Sequence, residues 1–348
     1  MGETIAYIVP TLGTHTAIDI NIQRRMAAME NAGFKVLLFE HTKKTYVHTV
    51  ISLLRIKNKF NHIVIRIDGS CILDKYTFWK CILPKHHFIW EIHGFPEERL
   101  EVNTAIENYF FVWKNALRRR ILSYFVDVCI FISGELYEYS KRKIQIKKWQ
   151  IIPNFVPGSH KQATSKSFRF PFKKNSFVVI WGGDASLPWQ ATDIIYKVAK
   201  IIEAKDRHVL FLLFGKNNYY SRHNSSNILH LNPIPYAQYM NYVKESHVCL
   251  ALYHKPSHFP FYFHSMKLLD YLAYGKPIIA SDMGTLSAFI RSSGGILTEN
   301  NPERISDAIL ALKRNKRTYL AIAKKARQAA RTLFSEKQIH KLYRDCLA

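Results

Sequence analysis

The side chains best placed for chemistry lie close together between Ser265 and Asp270. Ser265, Lys267 and Asp270 are the polar residues at the start of a predicted helix. The first amide groups of a helix attract a phosphate, and a lysine beside them adds positive charge. A carboxylate one turn further along can accept hydrogen bonds from a ribose diol. This spacing predicts a binding site for a nucleoside diphosphate.

A loop, a short helix and a buried strand must hold these groups, and the residues after Ser265 predict all three. Gly275 ends the helix, Pro277 prevents its continuation, and 278–280 forms a strand covered on both faces. The apolar face of the helix is formed by residues at helical spacing: Leu268, Leu269, Leu272 and Ala273.

The segment Asp270-Tyr271-Leu272-Ala273-Tyr274-Gly275-Lys276-Pro277 resembles the signature of the retaining family 4 glycosyltransferases, Glu-Tyr-Met-Ala-x-Gly-Lys-Pro. The alternative is a generic helix–strand unit of an α/β protein. The resemblance implies an α/β, GT-B architecture, with two Rossmann-like doubly wound domains facing a central cleft. It also implies a metal-independent hexosyltransferase that needs no cofactor and uses a nucleotide-diphosphate sugar as donor substrate.

Strand-like and helix-like segments alternate along the chain, as in a parallel doubly wound sheet. Six strands are predicted first, at 4–10, 35–40, 62–68, 87–93, 126–133 and 149–153. Six more are predicted at 177–181, 209–214, 227–231, 248–253, 278–281 and 295–298. We therefore expect an acceptor domain at 1–157, an interdomain linker at 158–175 and a donor domain at 176–335. The resemblance implies that a final helix at about 336–348 packs back on the first domain.

Composition narrows the protein class. The 348 residues suit two domains, and no apolar run approaches the roughly 20 residues that span a bilayer. We expect no signal peptide, and the five scattered cysteines fit a reducing compartment. The net charge of +24 favours an anionic partner: nucleic acid, a membrane surface or a phosphorylated substrate. No nucleic-acid-binding module is recognisable, so nucleic acid is not an expected partner.

Residues just after the first six strands are candidates for the acceptor side, because ligands bind beyond the carboxyl ends of parallel strands. Gly13, Arg66 and Asp68 are expected there. The resemblance implies that His93 contacts the donor sugar and takes part in catalysis, whereas the alternative is a structural histidine. The neighbouring pair Glu97 and Glu98 is expected to be solvated.

On the donor side, Gly182 and Gly183 resemble the family's glycine turn, and glycine allows backbone to approach a phosphate. Two departures follow, since Asp184 succeeds the glycines and Gln190 stands where the family has a lysine. Compensating positive charge is expected from Lys216, after Gly215, and from Lys267.

Another departure concerns the paired glutamates of the family. Asp270 can replace the second, but Tyr262 occupies the position of the first. The sugar contact is then expected from Tyr262, His264 or backbone amides at 263–266. The resemblance implies that the amides at Ser265, Met266 and Leu268 contact the diphosphate.

Three histidines, at 254, 258 and 264, fit no common structural zinc spacing, so no metal site is expected. A mobile aromatic lid over the donor is the preferred interpretation of this segment.

An amphipathic helix is predicted near 108–126, with one apolar face beside Arg118, Arg119 and Arg120. Its apolar residues are Tyr109, Trp113, Leu117, Ile121 and Tyr124. This composition is typical of a helix at an anionic membrane surface. The alternative is an apolar face packed on the sheet, with solvated arginines.

These observations predict a retaining glycosyltransferase that moves a sugar to a hydroxyl acceptor, in surface polysaccharide or glycolipid synthesis. The expected partners are a nucleotide sugar, a glycan or lipid-linked acceptor, and an anionic membrane surface. The expected location is cytoplasmic, with peripheral attachment to the inner face of the membrane. The missing glutamate motivates an alternative, a non-catalytic GT-B protein that binds a sugar nucleotide or an anionic glycan.

Overall fold

The computed structural model describes residues 3–13, 17–41, 46–69, 73–156, 175–215, 225–258 and 265–347. Two compact units are present. The first comprises Met1–Asn154, Ser257–His264 and Glu336–Ala348, and the second comprises Phe155–Pro256 and Ser265–Ser335. The predicted linker lies almost entirely outside the described residues.

The first unit is built on a six-stranded parallel sheet with the order β2-β1-β3-β4-β5-β6. Its strands are β1 (Thr4–Pro10), β2 (Lys35–His41), β3 (His62–Ile67), β4 (His87–Ile92), β5 (Val128–Phe131) and β6 (Lys148–Ile151). Its helices include α1 (Ala17–Asn31), α2 (Tyr46–Arg55), α3 (Glu98–Val102), α4 (Ile106–Leu122) and α5 (Gly134–Ser140).

The second unit carries another six-stranded parallel sheet, with the order β12-β11-β10-β7-β8-β9. Its strands are β7 (Phe177–Gly182), β8 (Val209–Phe214), β9 (Ile228–Leu231), β10 (Val248–Ala251), β11 (Ile278–Ser281) and β12 (Ile296–Thr298). Its helices are α6 (Thr192–Lys205), α7 (Tyr236–Glu245), α8 (Met266–Ala273), α9 (Gly284–Ser293), α10 (Pro302–Arg314) and α11 (Lys316–Thr332).

Burial explains why the strand predictions are confirmed. Every residue of β3 and of β7 is buried, because helices cover both faces of a parallel sheet and only continuous apolar runs suit that position. The largest discrepancy is β5, which is shorter at both ends than the predicted strand at 126–133. Ser133 caps α5 instead, since its hydroxyl accepts a hydrogen bond from the amide of Leu136 at 3.2 Å.

The last helix, α12 (Glu336–Leu347), belongs to the first unit and packs on α1. Its anchor is Tyr343, which is fully buried and donates a hydrogen bond to the carboxylate of Glu91 at 2.8 Å. Tyr7 donates to the other oxygen of that carboxylate at 2.5 Å. The guanidinium of Arg25 lies 3.5 Å from Glu91 and donates to the Tyr343 hydroxyl at 3.0 Å.

A closed ring of buried polar groups extends from Glu91. Arg25 donates to Asn154, which also accepts from Asn21 at 2.8 Å. Asn21 in turn accepts from Arg66 at 2.8 Å. Two further contacts of His93 complete the ring, since its Nε2 lies 3.2 Å from Arg66 and 3.3 Å from Glu91.

The charges of this ring explain the ionisation of Glu91. Burial alone raises the pKa of a carboxyl group, but the Arg25 guanidinium and hydrogen bonds from neighbours outweigh it, so the pKa of Glu91 is lowered. Glu91 therefore stays ionised inside the core. Its charge is compensated by a network that joins β1, α1, β4 and α12.

Helix α4 lies with its apolar face towards solvent, so the alternative of a face packed on the sheet is wrong. Large side chains on this face are 46% to 62% exposed: Tyr109, Phe110, Trp113, Leu117, Ile121 and, just past the helix, Tyr124. The expectation of solvated arginines is also wrong for two of the three. Arg118 makes a two-pronged ion pair with the fully buried Asp74, and Arg119 is itself only 2% exposed.

We predict that Glu91→Gln destabilises the protein by about 3–5 kcal/mol, because it leaves the buried Arg25 without a compensating charge. Urea unfolding at pH 7 measures this, and Glu138→Gln is the control, since it removes an exposed pair with Lys141 worth less than about 1 kcal/mol. Equal stability of the two variants would show that the ring does not hold the first unit together.

Candidate functional site

The start of α8 has the geometry that the sequence predicts. Ser265 precedes the helix with extended backbone, and its side chain makes no capping hydrogen bond to the helix. The amide of Leu268 donates to the carbonyl of Ser265 at 3.3 Å, so that amide is already used within the first turn. Met266, the first helical residue, and Lys267 follow Ser265 directly.

Lys267 is partly buried in an aromatic and amide environment. Its Nζ lies 4.7 Å from the ring centre of Tyr253 and 5.2 Å from that of Trp181, and it donates to Gln190 at 3.1 Å. Among the residues that the structure describes, no carboxylate lies within ion-pair distance of it. Burial lowers the pKa of Lys267 to about 7. The amine is therefore poised to take up a proton when an anion arrives.

Gln190, which stands where the family has a lysine, contacts Lys267 directly. Gln190 pairs with Tyr253 as a short antiparallel bridge, and Ala191 donates to Leu252 at 3.3 Å. The loop after β7 is thereby fixed against the segment after β10, with the Gln190 side chain directed at Lys267. Lys267 can supply the positive charge that Gln190 cannot, whereas Lys216 lies outside the described residues.

Asp270 is 3% exposed, and its carboxylate contacts the hydroxyl of a tyrosine. Tyr236, at the start of α7, donates a hydrogen bond to Asp270 at 2.6 Å. The sequence does not predict this contact, because 34 residues separate the two side chains. Tyr236 therefore contacts a predicted site residue, although the motif does not indicate it.

Crowding by neighbouring groups excludes a side chain at each of the three donor-side glycines. A Cβ at Gly182 would lie 2.5 Å from the Tyr239 hydroxyl, and one at Gly183 would lie 2.8 Å from the Trp181 ring. Gly215 has a φ of +145°, and a Cβ there would overlap the carbonyl oxygen of Gly183. Only glycine fits at these three positions, because a side chain would collide with neighbouring groups. The role of these glycines in donor binding stays a prediction. The same holds for Tyr262 and His264, which lie outside the described residues.

On the acceptor side, His93 and Arg66 belong to the buried ring of the first unit. Burial, together with the charge of Arg66, lowers the pKa of His93 to about 3, so its imidazole is neutral at physiological pH. A neutral imidazole can donate one hydrogen bond and accept another. Gly13 has a φ of +116° with open space around it, so it is required by the backbone turn and not by crowding.

The expectation of a solvated acidic pair at 97–98 is wrong. Glu97 is 7% exposed and pairs with Lys143 at 2.5 Å. Glu98 accepts from the amide of Phe95 at 3.0 Å, and burial together with the nearby charge of Asp68 raises its pKa to about 7. The backbone carbonyl of Asp68 accepts from Arg119 at 2.5 Å. The carboxyl groups of Asp68 and Glu98 thus interact near the ends of β3 and β4.

Two of the three histidines considered for zinc are bound to carboxylates. His254 lies 2.7 Å from Asp193, and His258 lies 3.3 Å from Glu101. His264, and with it the aromatic lid, lies outside the described residues. In the described part of the chain, no group of three or more metal-binding side chains is present. No helix there combines the length and apolar character needed to cross a membrane.

Part of the chain is similar to a known protein family. Residues 197–341, less than half of the chain, match a family model described as "Glycosyl transferase-like", and the match includes α8 with Lys267 and Asp270. This part of the chain is therefore similar to glycosyltransferase-like domains. No curated protein matches the sequence.

Solved structures extend the likeness to the whole fold. Sucrose-phosphate synthase from Thermosynechococcus elongatus superposes with a TM-score of 0.68 at 15% identity, covering 99% of each chain. HepE from Anabaena, in complex with UDP and glucose, has a TM-score of 0.68 at 13% identity over 99% of each chain. WaaG, a glycosyltransferase involved in lipopolysaccharide biosynthesis, has a TM-score of 0.62 at 12% identity over 98% of each chain. The chain has the GT-B fold.

We predict that Lys267→Met makes the protein more stable near neutral pH. Because the pKa of Lys267 is lowered on folding, the native state binds fewer protons than the unfolded chain between pH 10.5 and about 7. Stability is therefore lost as the pH falls through this window, and the loss is complete below pH 7. Methionine removes that loss, so its gain should be larger at pH 6.5 than at pH 10.

Thermal unfolding across this pH range measures the effect. Lys197→Met is the control, since the Lys197 side chain is 63% exposed and should give no pH-dependent gain. A Lys267→Met variant that is less stable than the parent at pH 6.5 would contradict a lysine whose charge is disfavoured by burial.

Proposed function

We propose that this protein is a retaining, metal-independent hexosyltransferase that uses a nucleotide-diphosphate sugar and a hydroxyl acceptor. The observation that carries the proposal is Lys267, a partly buried lysine without a described carboxylate partner, at the start of a helix within the glycosyltransferase-like domain. Such a group costs stability, and natural proteins retain costly buried charges mainly where ligands need them.

The donor half of the reaction rests on the second unit. The diphosphate lies against the Lys267 side chain and the amides of Ser265, Met266 and Lys267, because the Leu268 amide is already bonded to the Ser265 carbonyl. The ribose lies against Asp270. As the bond from the anomeric carbon to the diphosphate breaks, negative charge develops on the leaving oxygens. Lys267 stabilises that charge, and its aromatic surroundings strengthen the interaction by excluding water.

The acceptor half rests on the first unit. His93 orients the donor sugar through a neutral imidazole, while Gly13, Arg66 and Asp68 belong to the acceptor side. Retention of configuration follows if the acceptor hydroxyl attacks on the face from which the diphosphate departs, with no nucleophile from the protein. HepE binds UDP and glucose, which supports UDP-glucose as the first donor to test.

Asp270→Asn should lower the affinity for UDP-glucose roughly 10- to 150-fold, because a charge-assisted hydrogen bond is worth about 1.5–3 kcal/mol. Calorimetry on the folded variant measures this, with Asp307→Asn as the control, an exposed carboxylate in α10. Unchanged affinity in a folded Asp270→Asn would remove the ribose assignment.

Catalysis itself is tested by release of UDP from UDP-glucose, with and without acceptor sugars. Hydrolysis or transfer that is lost in Lys267→Met supports the enzyme. Tight binding of UDP-glucose without any turnover would favour the alternative, a non-catalytic protein that binds a sugar nucleotide.

Peripheral attachment to an anionic membrane is the second part of the proposal, and it rests on α4. Six large apolar side chains between Tyr109 and Tyr124 are exposed on one face of this helix. Such an exposed apolar patch is typical of an interaction surface. Lys114 and Arg120 are exposed on the same helix. Aromatic side chains flanked by basic groups suit the headgroup region of an anionic bilayer. A lipid-linked acceptor would be presented at that surface, in surface polysaccharide or glycolipid synthesis.

Phe110→Ser combined with Trp113→Ser should reduce binding to phosphatidylserine-containing vesicles at least roughly tenfold, because two large apolar side chains no longer enter the bilayer. Lys114→Gln with Arg120→Gln should reduce it by about 1 kcal/mol per charge and flatten the salt dependence. Flotation with anionic and neutral vesicles measures both.

The matched charge control is Lys324→Gln on α11, which should bind as the parent does. Equal binding to neutral and anionic vesicles, or full binding by the Phe110 and Trp113 variant, would leave the membrane assignment without support. Arg118 and Arg119 are unsuitable targets, because their contacts with Asp74 hold α4 in place.

A further inference from the structure

The contact between Tyr236 and Asp270 joins a partly exposed tyrosine to a buried carboxylate of the proposed nucleotide site. Asp270 is 3% exposed, whereas Tyr236 is partly exposed at the start of α7. The Tyr236 hydroxyl lies 2.6 Å from the carboxylate. Tyr236 is thus the more exposed residue of a short hydrogen-bonded pair.

The short side chain of Asp270 suggests a role for the Tyr236 hydroxyl. The signature that the segment resembles has a glutamate at this position, and aspartate is shorter by one methylene, about 1.5 Å. A buried aspartate reaches less far towards a ligand than a glutamate on the same helix would. A tyrosine hydroxyl bonded to the carboxylate can extend its reach, because a hydroxyl donates one hydrogen bond and can accept others.

The surrounding groups keep the phenols of this region neutral. Tyr239 donates to Tyr271 at 3.3 Å. Burial, followed by the charge of Asp270, raises the pKa of Tyr274, and burial raises the pKa of Tyr239 and Tyr271 as well. The hydroxyl groups of Tyr239, Tyr271 and Tyr274 therefore remain protonated donors at physiological pH. A donor polarised by a carboxylate is also a better acceptor through its own oxygen.

We propose that the Tyr236 hydroxyl completes the ribose site: it donates to Asp270 and accepts a hydrogen bond from a ribose hydroxyl of the bound nucleotide. The inference rests on the proposed nucleotide site and adds to it a positioning and specificity residue. Discrimination between ribose and deoxyribose is then shared between a carboxylate and a phenol, where the family signature has a single carboxylate.

The test compares UDP with 2′-deoxy-UDP, 3′-deoxy-UDP and 2′,3′-dideoxy-UDP on the full chain, with the matching adenosine and guanosine series in parallel. Tyr236→Phe removes only the hydroxyl. We expect it to weaken binding of the ribonucleotide roughly three- to tenfold, the value of one hydrogen bond. Binding of the dideoxynucleotide should be unchanged, so the preference for ribose falls by the same factor.

Tyr319→Phe is the matched control, because Tyr319 donates to the carbonyl of His247 at 3.2 Å in the same unit. It should leave the ribose preference unaltered. An unchanged ribose preference in Tyr236→Phe would overturn the inference, and so would tighter ribonucleotide binding, which would show that the phenol competes with the ligand. If no nucleoside diphosphate of any series binds the parent, the proposed function fails together with it. If all bind without regard to Tyr236, only the inference fails.

Discussion

The buried carboxylate of Glu91 is the constraint on which the first unit depends. An ionised group in a core is costly unless its charge is compensated and its lone pairs are used. Tyr7, Tyr343 and Arg25 meet that requirement, and they come from a strand, the last helix and the first helix. The C-terminal helix therefore belongs to the first unit because a core charge needs it there, and not only because its apolar face is buried.

The second unit solves the opposite problem. Lys267 is placed among Trp181, Tyr253 and Gln190, where its charge is disfavoured and its pKa falls to about 7. The carboxylate of Glu91 is paired with groups of the protein itself, whereas the buried environment of Lys267 favours a ligand that brings negative charge. The contrast distinguishes Glu91, which maintains the fold, from Lys267, which the proposed function makes the centre of donor binding on α8.

Much of the fold follows from the sequence, because buried parallel strands must be continuous apolar runs and helices must end at residues such as Gly275. The motif likewise indicates Lys267 and Asp270. The rest depends on contacts between distant residues: Tyr343 meets Glu91 across 252 positions, and Tyr236 meets Asp270 across 34. Local sequence patterns cannot predict such contacts between distant residues. The expectation of solvated arginines on α4 was wrong for the same reason, since Asp74, the partner of Arg118, lies 44 positions away in the sequence.

The most direct test of the account is proton uptake when UDP-glucose binds, since the diphosphate of this donor does not itself titrate near neutral pH. Calorimetry at pH 7.5 in buffers of different ionisation enthalpy gives the number of protons exchanged. With a pKa of about 7 before binding, Lys267 should take up as much as roughly 0.75 of a proton at pH 7.5 as the diphosphate raises its pKa. That uptake should disappear in Lys267→Met. Binding without proton uptake, or with the same uptake in the variant, would contradict a diphosphate held by Lys267.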